Sequence, residues 1–229
     1  LFGKLDTQMI FPIGDDQVRG GHFPRFSYGF IWFNGLVFII QTSLSEPDLE
    51  WFFYHFGAVP AWLFEGEGWH GLLTSQFVHA GWGHLLGNML FMWVFADNIE
   101  ATVGSRRFVL FYLTGGVLAV LAHAWFHPDS TVPMVGASGA ISAVMGAYLV
   151  LFPGSRIKLL FLVFPFRVHA LVFLVFWFYQ QAAAGMQELD GITVSQVAWW
   201  AHISGFVFGA LAGWWFRLSG LREGVELEG

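Results

Sequence analysis

The chain has 229 residues, 56% of them hydrophobic and only 11% charged, with a mean hydropathy of +0.59. A soluble domain carries about a quarter charged residues, so the composition excludes an ordinary soluble protein and points to one embedded in a membrane. The absence of cysteine excludes disulfides and thiolate chemistry, and the net charge of −6 matters less than where the charges fall.

Residues 1–25 are polar, with Asp15, Asp16 and Arg19, and read as a cytoplasmic surface tail. The first residue is Leu rather than Met, which suggests a start further upstream, and residues 1–27 hold no continuous apolar stretch of the secretory-signal kind. Residues 26–43 are a first span of about the length needed to cross a bilayer. Residues 45–71 break the pattern with Pro47, Pro60, five acids and many aromatics, a mix suited to a loop lying at the membrane–water interface. Further spans are expected at 79–98, 108–126, 136–152, 159–184 and 196–218. Pro165 and Arg167 suggest a kinked or interfacial start to the fifth. Residues 219–229 form a charged cytoplasmic tail, which leaves 26–218 as one membrane domain. The fold class is therefore an all-α polytopic membrane protein with six transmembrane helices.

If the six spans alternate, every Lys and Arg falls on one side. Lys4, Arg19 and Arg25 precede the first span, and Arg106 and Arg107 follow the second. Arg156, Lys158 and Arg167 follow the fourth, and Arg217 and Arg222 end the sixth. This positive-inside pattern places both termini in the cytoplasm. It also puts His79, Ser138 and His202 near the outer ends of the second, fourth and sixth spans.

Ser138 lies between glycines in Gly136-Ala137-Ser138-Gly139, where a helix begins. The residues alone allow two readings. Small residues in an apolar segment commonly mark close helix packing. A serine at a helix start, beside free backbone N–H groups, is also a candidate nucleophile. Gly139, Ala143 and Ala147 on the fourth span match Gly205, Gly209 and Gly213 on the sixth, all at intervals of four. Close contact along those faces would bring His202 to Ser138, where an imidazole can serve as base. On the second span, His84 and Asn88 share a helix face. With the Ser138 N–H they could hold an oxyanion. No acid stands where it would orient His202, which suggests a dyad. Five histidines near the outer side raise the question of a metal site. However, there is no His-Glu-x-x-His helix and no transmembrane aspartate pair, so neither a metal nor a cofactor is expected.

Three strings, in order and on alternating spans, resemble a rhomboid intramembrane serine protease. They are His79-Ala80-Gly81-Trp82-Gly83-His84-Leu85-Leu86-Gly87-Asn88, Gly136-Ala137-Ser138-Gly139, and Ala201-His202-Ile203-Ser204-Gly205. The long first loop, Glu100 and Gly104 extend the likeness over the whole chain, in the six-span form of the basic bacterial type. The resemblance implies Ser138 as nucleophile and His202 as base. Asn88, His84 and Gly136 would lie around the oxyanion, with His79 in the surrounding polar network. It further implies transmembrane protein substrates, the bilayer as surroundings, no nucleic acid partner, and a location in a bacterial inner or plasma membrane with the site opening to the outer face.

There are two departures from the family pattern. Many rhomboids carry a Trp-Arg pair in the first loop, where this chain has Trp69-His70. Some carry an aromatic four residues after the serine, on which the histidine stacks, and here that position is Ser142. Ser142 could bond His202, a water or its own helix backbone. Two other classes are carried as alternatives: a catalytically silent rhomboid-fold protein that captures membrane helices, and an accessory subunit of a larger membrane assembly. Retention of both Ser138 and His202 speaks against the first.

Overall fold

The computed structural model describes residues 10–19, 21–192, 197–221 and 226–227. Lys4, Arg222, the expected start of the sixth span at Gln196, and parts of both expected tails lie outside the described residues.

Two short strands come first, β1 (Ile10–Gly14) and β2 (Val18–Arg19), followed by α1 (Arg25–Thr42). The aromatic loop holds α2 (Glu46–Phe56), α3 (Pro60–Glu65), α4 (Gly71–Thr74) and a 3₁₀ turn at Ser75–Phe77. α5 (Trp82–Val103) and α6 (Ser105–Phe126) are separated by Gly104 alone, whose φ of +83° suits a residue without a side chain. Then come α7 (Ser138–Leu151), β3 (Arg156–Phe161), β4 (Phe164–His169), α8 (Ala170–Leu189), α9 (Trp199–Leu218) and β5 (Glu226–Leu227).

Every segment expected to span the membrane contains a helix. Among the described residues α6 alone, with a mean hydropathy of 1.8, is long and apolar enough to cross by that measure. The other long helices carry Trp, His, Gln and Asn, which lower a hydropathy average. α7 is the hub. Its residues from Ala140 to Tyr148 are all buried, the mark of a helix apolar on every side and enclosed by others. α9 packs against it through glycines. A Cβ on Gly205 would strike the Gly139 carbonyl, one on Gly209 the Ala143 carbonyl, and one on Gly213 the Ala147 backbone. The interval of four seen in the sequence is therefore a groove into which the α7 backbone fits.

The aromatic loop is folded rather than extended. Ser45 caps α2, with its hydroxyl accepting from the Asp48 N–H. Gly66 ends α3 in the left-handed conformation. Trp51, Phe64 and Trp69 remain exposed on the loop.

Two expectations are corrected. Residues 10–19 are not a plain surface tail. β1 pairs antiparallel with β3, matching Phe11 to Leu160 and Pro12 to Leu159, and the Asp16 carboxylate accepts the Arg156 N–H at 2.8 Å. The fifth helix starts at Ala170, not near 159, because Arg156–His169 is a β-hairpin turning at Leu162 and Val163. Its first strand alternates exposed Arg156 and Lys158 with buried Ile157 and Leu159, the period of two that a half-buried strand requires. Pro165 lies in β4, opposite Leu160, where it could not have continued a helix begun at 159 without losing a backbone hydrogen bond.

Candidate active site

Ser138 opens α7, so its N–H is one of the free donors at the helix start. The segment leading into it is held in two places. Ala58 and Met134 exchange backbone bonds at 3.0 and 2.8 Å, and the Gly136 N–H donates to the Ser75 carbonyl at 2.9 Å. The aromatic loop thus fixes the approach to the serine. Where a Trp-Arg pair is absent, His70 does part of the tethering, its Nε2 lying 2.5 Å from the His55 carbonyl. Gly71 packs so tightly on Gly57 that no side chain would fit there.

The glycine contacts between α7 and α9 bring the two key side chains together. Ser138 Oγ lies 2.8 Å from His202 Nε2. The other ring nitrogen is also engaged: His202 Nδ1 lies 2.8 Å from Gln181 Oε1, on α8. Trp177 and Trp199 flank the imidazole, each with its ring centre 6.1 Å away. Sequence reasoning missed Gln181. The available signal was the Gln-Gln pair at 180 and 181 within the otherwise apolar run 170–184, where polar groups are costly unless used.

The second-span residues stand on the other side of Gly136. That glycine has φ +120°, and a Cβ on it would come within 2.6 Å of the His84 ring and 3.6 Å of Asn88 Nδ2. Glycine is needed there both for conformation and for space. Asn88 Nδ2 is buried and has no protein partner. His84 Nδ1 faces the Ala80 N–H at 3.4 Å. If Nδ1 accepts there, the ring proton is left on Nε2, the side toward Gly136. His79 is fully buried, its ring centre 5.2 Å from that of His84. Its backbone exchanges two bonds with the Gln41 side chain on α1, at 2.9 and 3.1 Å. Gln41 is a second supporting residue not foreseen.

Ser142 takes the third of the roles open to it. Its hydroxyl donates to the Ser138 carbonyl at 2.6 Å, one turn back on its own helix. His123 and His127 stack on each other, and His127 faces Glu188 at 3.6 Å. Among the described residues no trio of His, Asp or Glu side chains is placed to hold a metal ion.

A cavity of about 30 Å³ adjoins Ser138, bounded by Ser75, Gln76, Gly116, Gly136 and Ala201 among others. Ser75 Oγ and Gln76 Oε1 are buried without a protein partner. A space of that size and polarity can hold a water molecule. Chemically, the arrangement offers a hydroxyl bonded to an imidazole, an unpaired Asn88 amide and the His84 ring beside Gly136, and room for water.

Residues 66–219 match the family model described as Rhomboid domain. The chain is similar to Rhomboid protease GluP of Bacillus subtilis, 35% identical over 127 residues that make up 55% of this chain and 24% of that one. It is similar to Rhomboid-like protein 11, chloroplastic, of Arabidopsis thaliana, 27% identical over 79% of this chain and 65% of that one. It is also similar to Rhomboid protein 1, mitochondrial, of Saccharomyces cerevisiae, 30% identical over 63% of this chain and 41% of that one. It thus spans between about a quarter and just under two thirds of the length of these relatives. With the family model covering well over half of its residues, the chain belongs to the rhomboid family.

Proposed function

We propose that this chain is an intramembrane serine endopeptidase that cleaves transmembrane or juxtamembrane segments of other membrane proteins. The observation that carries the reading is the 2.8 Å contact between Ser138 Oγ and His202 Nε2, made by residues 64 positions apart on two helices. In this reading α1 and α5 to α9 cross the bilayer, both termini are cytoplasmic, and the membrane is a bacterial inner or plasma membrane. The placement of Lys and Arg supports that orientation. α7 has 14 residues and is about 21 Å long at 1.5 Å per residue. That is shorter than a hydrocarbon core of about 30 Å, which would set Ser138 below the outer face, within reach of water through a polar cavity.

The chemistry follows from the partners. His202 Nε2 takes the Ser138 hydroxyl proton as Oγ bonds to the scissile carbonyl carbon. The resulting oxyanion would be met by the Ser138 N–H, Asn88 Nδ2 and His84 Nε2–H. The carbon–nitrogen bond then breaks, and the proton on Nε2 passes to the leaving amine. Water gives a proton to Nε2 and attacks the acyl-serine, releasing the acid and restoring the hydroxyl. A substrate helix must be locally extended to present its backbone, so small or helix-breaking residues should mark cleavage sites.

A fluorophosphonate probe tests the assignment. It should label the purified protein at Ser138 and leave Ser138→Ala unlabelled, while Ser138→Ala abolishes cleavage of a co-expressed single-span substrate. Cleavage that persists in Ser138→Ala would refute the dyad. Failure of the folded wild type to label or cleave would favour a binding protein or an accessory subunit.

A further inference from the structure

We propose that Gln181 is the positioning residue for His202, the counterpart of the third member of a serine triad but without charge; the proposal rests on the dyad reading above. Gln181 Oε1 lies 2.8 Å from His202 Nδ1 while Nε2 lies 2.8 Å from Ser138 Oγ, so a single imidazole bridges an amide acceptor and the hydroxyl.

An imidazole that accepts the serine proton at Nε2 must carry its own proton on Nδ1. A buried N–H without an acceptor is costly, and an imidazole free to hold its proton on Nε2 would donate to Ser138 rather than activate it. Gln181 supplies the acceptor. It is only 5% exposed, so water does not readily replace it. It also sits on a third helix, α8, and therefore fixes the ring from outside the α7–α9 contact. The amide carbonyl can hold the Nδ1 proton both before and after Nε2 gains one.

Two features of this chain make the role specific. The aromatic that stacks on the histidine in some rhomboids is replaced by Ser142, whose hydroxyl is spent on the Ser138 carbonyl. The imidazole is instead flanked by Trp177 and Trp199, whose rings are tilted by 33° and 90° to it. Rings at centre distances of 6.1 Å limit where the imidazole can move but do not choose its tautomer. That choice falls to Gln181.

The test uses the full chain in detergent or vesicles, with two substitutions. Gln181→Leu keeps the volume and removes the acceptor. Gln181→Glu keeps an acceptor and adds charge. With a single-span substrate, Gln181→Leu should lower kcat by roughly 10- to 100-fold with KM nearly unchanged, part of the 10²- to 10⁴-fold that a positioned base supplies. Gln181→Glu should recover most of the rate, with the acid limb of its pH–rate profile moved to higher pH, because a carboxylate favours the imidazolium. ¹⁵N spectra of histidine-labelled protein, with His202 identified by its loss in His202→Ala, should show the proton on Nδ1 in the wild type and a shift toward Nε2 in Gln181→Leu. An undiminished kcat in Gln181→Leu, or a wild-type His202 protonated on Nε2, overturns the proposal. The spectra need no turnover. An inactive wild type with Nδ1 protonated would therefore sink the protease reading while leaving the Gln181 contact standing.

Discussion

Glu100, near the end of α5, caps the start of α1 through Ser27: its carboxylate accepts the Ser27 N–H at 2.7 Å and the Ser27 hydroxyl at 3.0 Å. Both Glu100 oxygens also lie 3.0 Å from the Phe26 N–H. α1 has no capping side chain of its own, because Pro24 occupies that position. A residue 73 positions away supplies the cap, and its negative charge faces the positive end of the helix.

Removing that carboxylate should therefore unfasten α1. Glu100→Ala leaves the buried Ser27 N–H and the part-buried Phe26 N–H and Ser105 hydroxyl without this acceptor. The expected loss is about 2–4 kcal/mol, read as a lowered midpoint of thermal unfolding in detergent. Glu100→Gln, which keeps an acceptor, should lose less. Equal midpoints for Glu100→Ala and wild type would show that water satisfies these donors.

Gly209 is the tightest of the α9 glycines, since any Cβ there would overlap the Ala143 carbonyl. Gly209→Ala should force α7 and α9 apart, at a cost of about 1–3 kcal/mol. A separation of even about 1 Å at the proposed dyad can cost on the order of 100-fold in rate. Cleavage assays beside unfolding curves would separate the two effects. A fully active, stable Gly209→Ala would mean that the groove yields without cost.

Ser142 should matter less than its position suggests. Its hydroxyl bonds its own helix backbone, an interaction that contributes little to a helix. Ser142→Ala is expected to keep cleavage within about twofold of wild type and stability within about 0.5 kcal/mol. A large drop in kcat would instead assign the hydroxyl to the reaction.

The N-terminal segment should dock in a pH-dependent way. Burial pushes the Asp15 carboxyl from its usual 3.8 up to about 8, with Asp97 adding to the rise and hydrogen bonds from Tyr148, Asn98 and Gln17 opposing it. The folded chain then holds the Asp15 proton to about pH 8, whereas the unfolded chain releases it near 4. Between these limits the native state binds more protons, so stability falls as pH rises. The contribution is complete below the lower value and gone above the upper one. Thermal midpoints at pH 5 and pH 8.5 should differ in the wild type and differ less in Asp15→Asn. Identical slopes in the two proteins would remove Asp15 from the account.

Much of the site was legible because it depends on local patterns. The glycines at intervals of four on α9 and the small residues on α7 lie along single helix faces, and a helix face can be read from spacing. Their packing accounts for the approach of Ser138 and His202. The hairpin at 156–169 was not legible. Its apolar run fits a buried helix as well as a strand, and what decides is the pairing of β3 with β1, about 145 residues earlier in the chain. Glu100 as the cap of α1 was hidden for the same reason.

What the sequence determined by itself was the composition of the helices, the small-residue faces along which they meet, and the identity of the residues at the meeting point. Those properties are local, set by side-chain size and a period of 3.6. The tertiary structure alone decided which buried polar groups find each other. Asp15 meets Tyr148, Gln41 meets His79 and Gln181 meets His202, pairs separated by 133, 38 and 21 positions in the chain. A polar side chain in an apolar segment announces that it needs a partner, but the partner is chosen by distance and direction in space, which no spacing along the chain encodes.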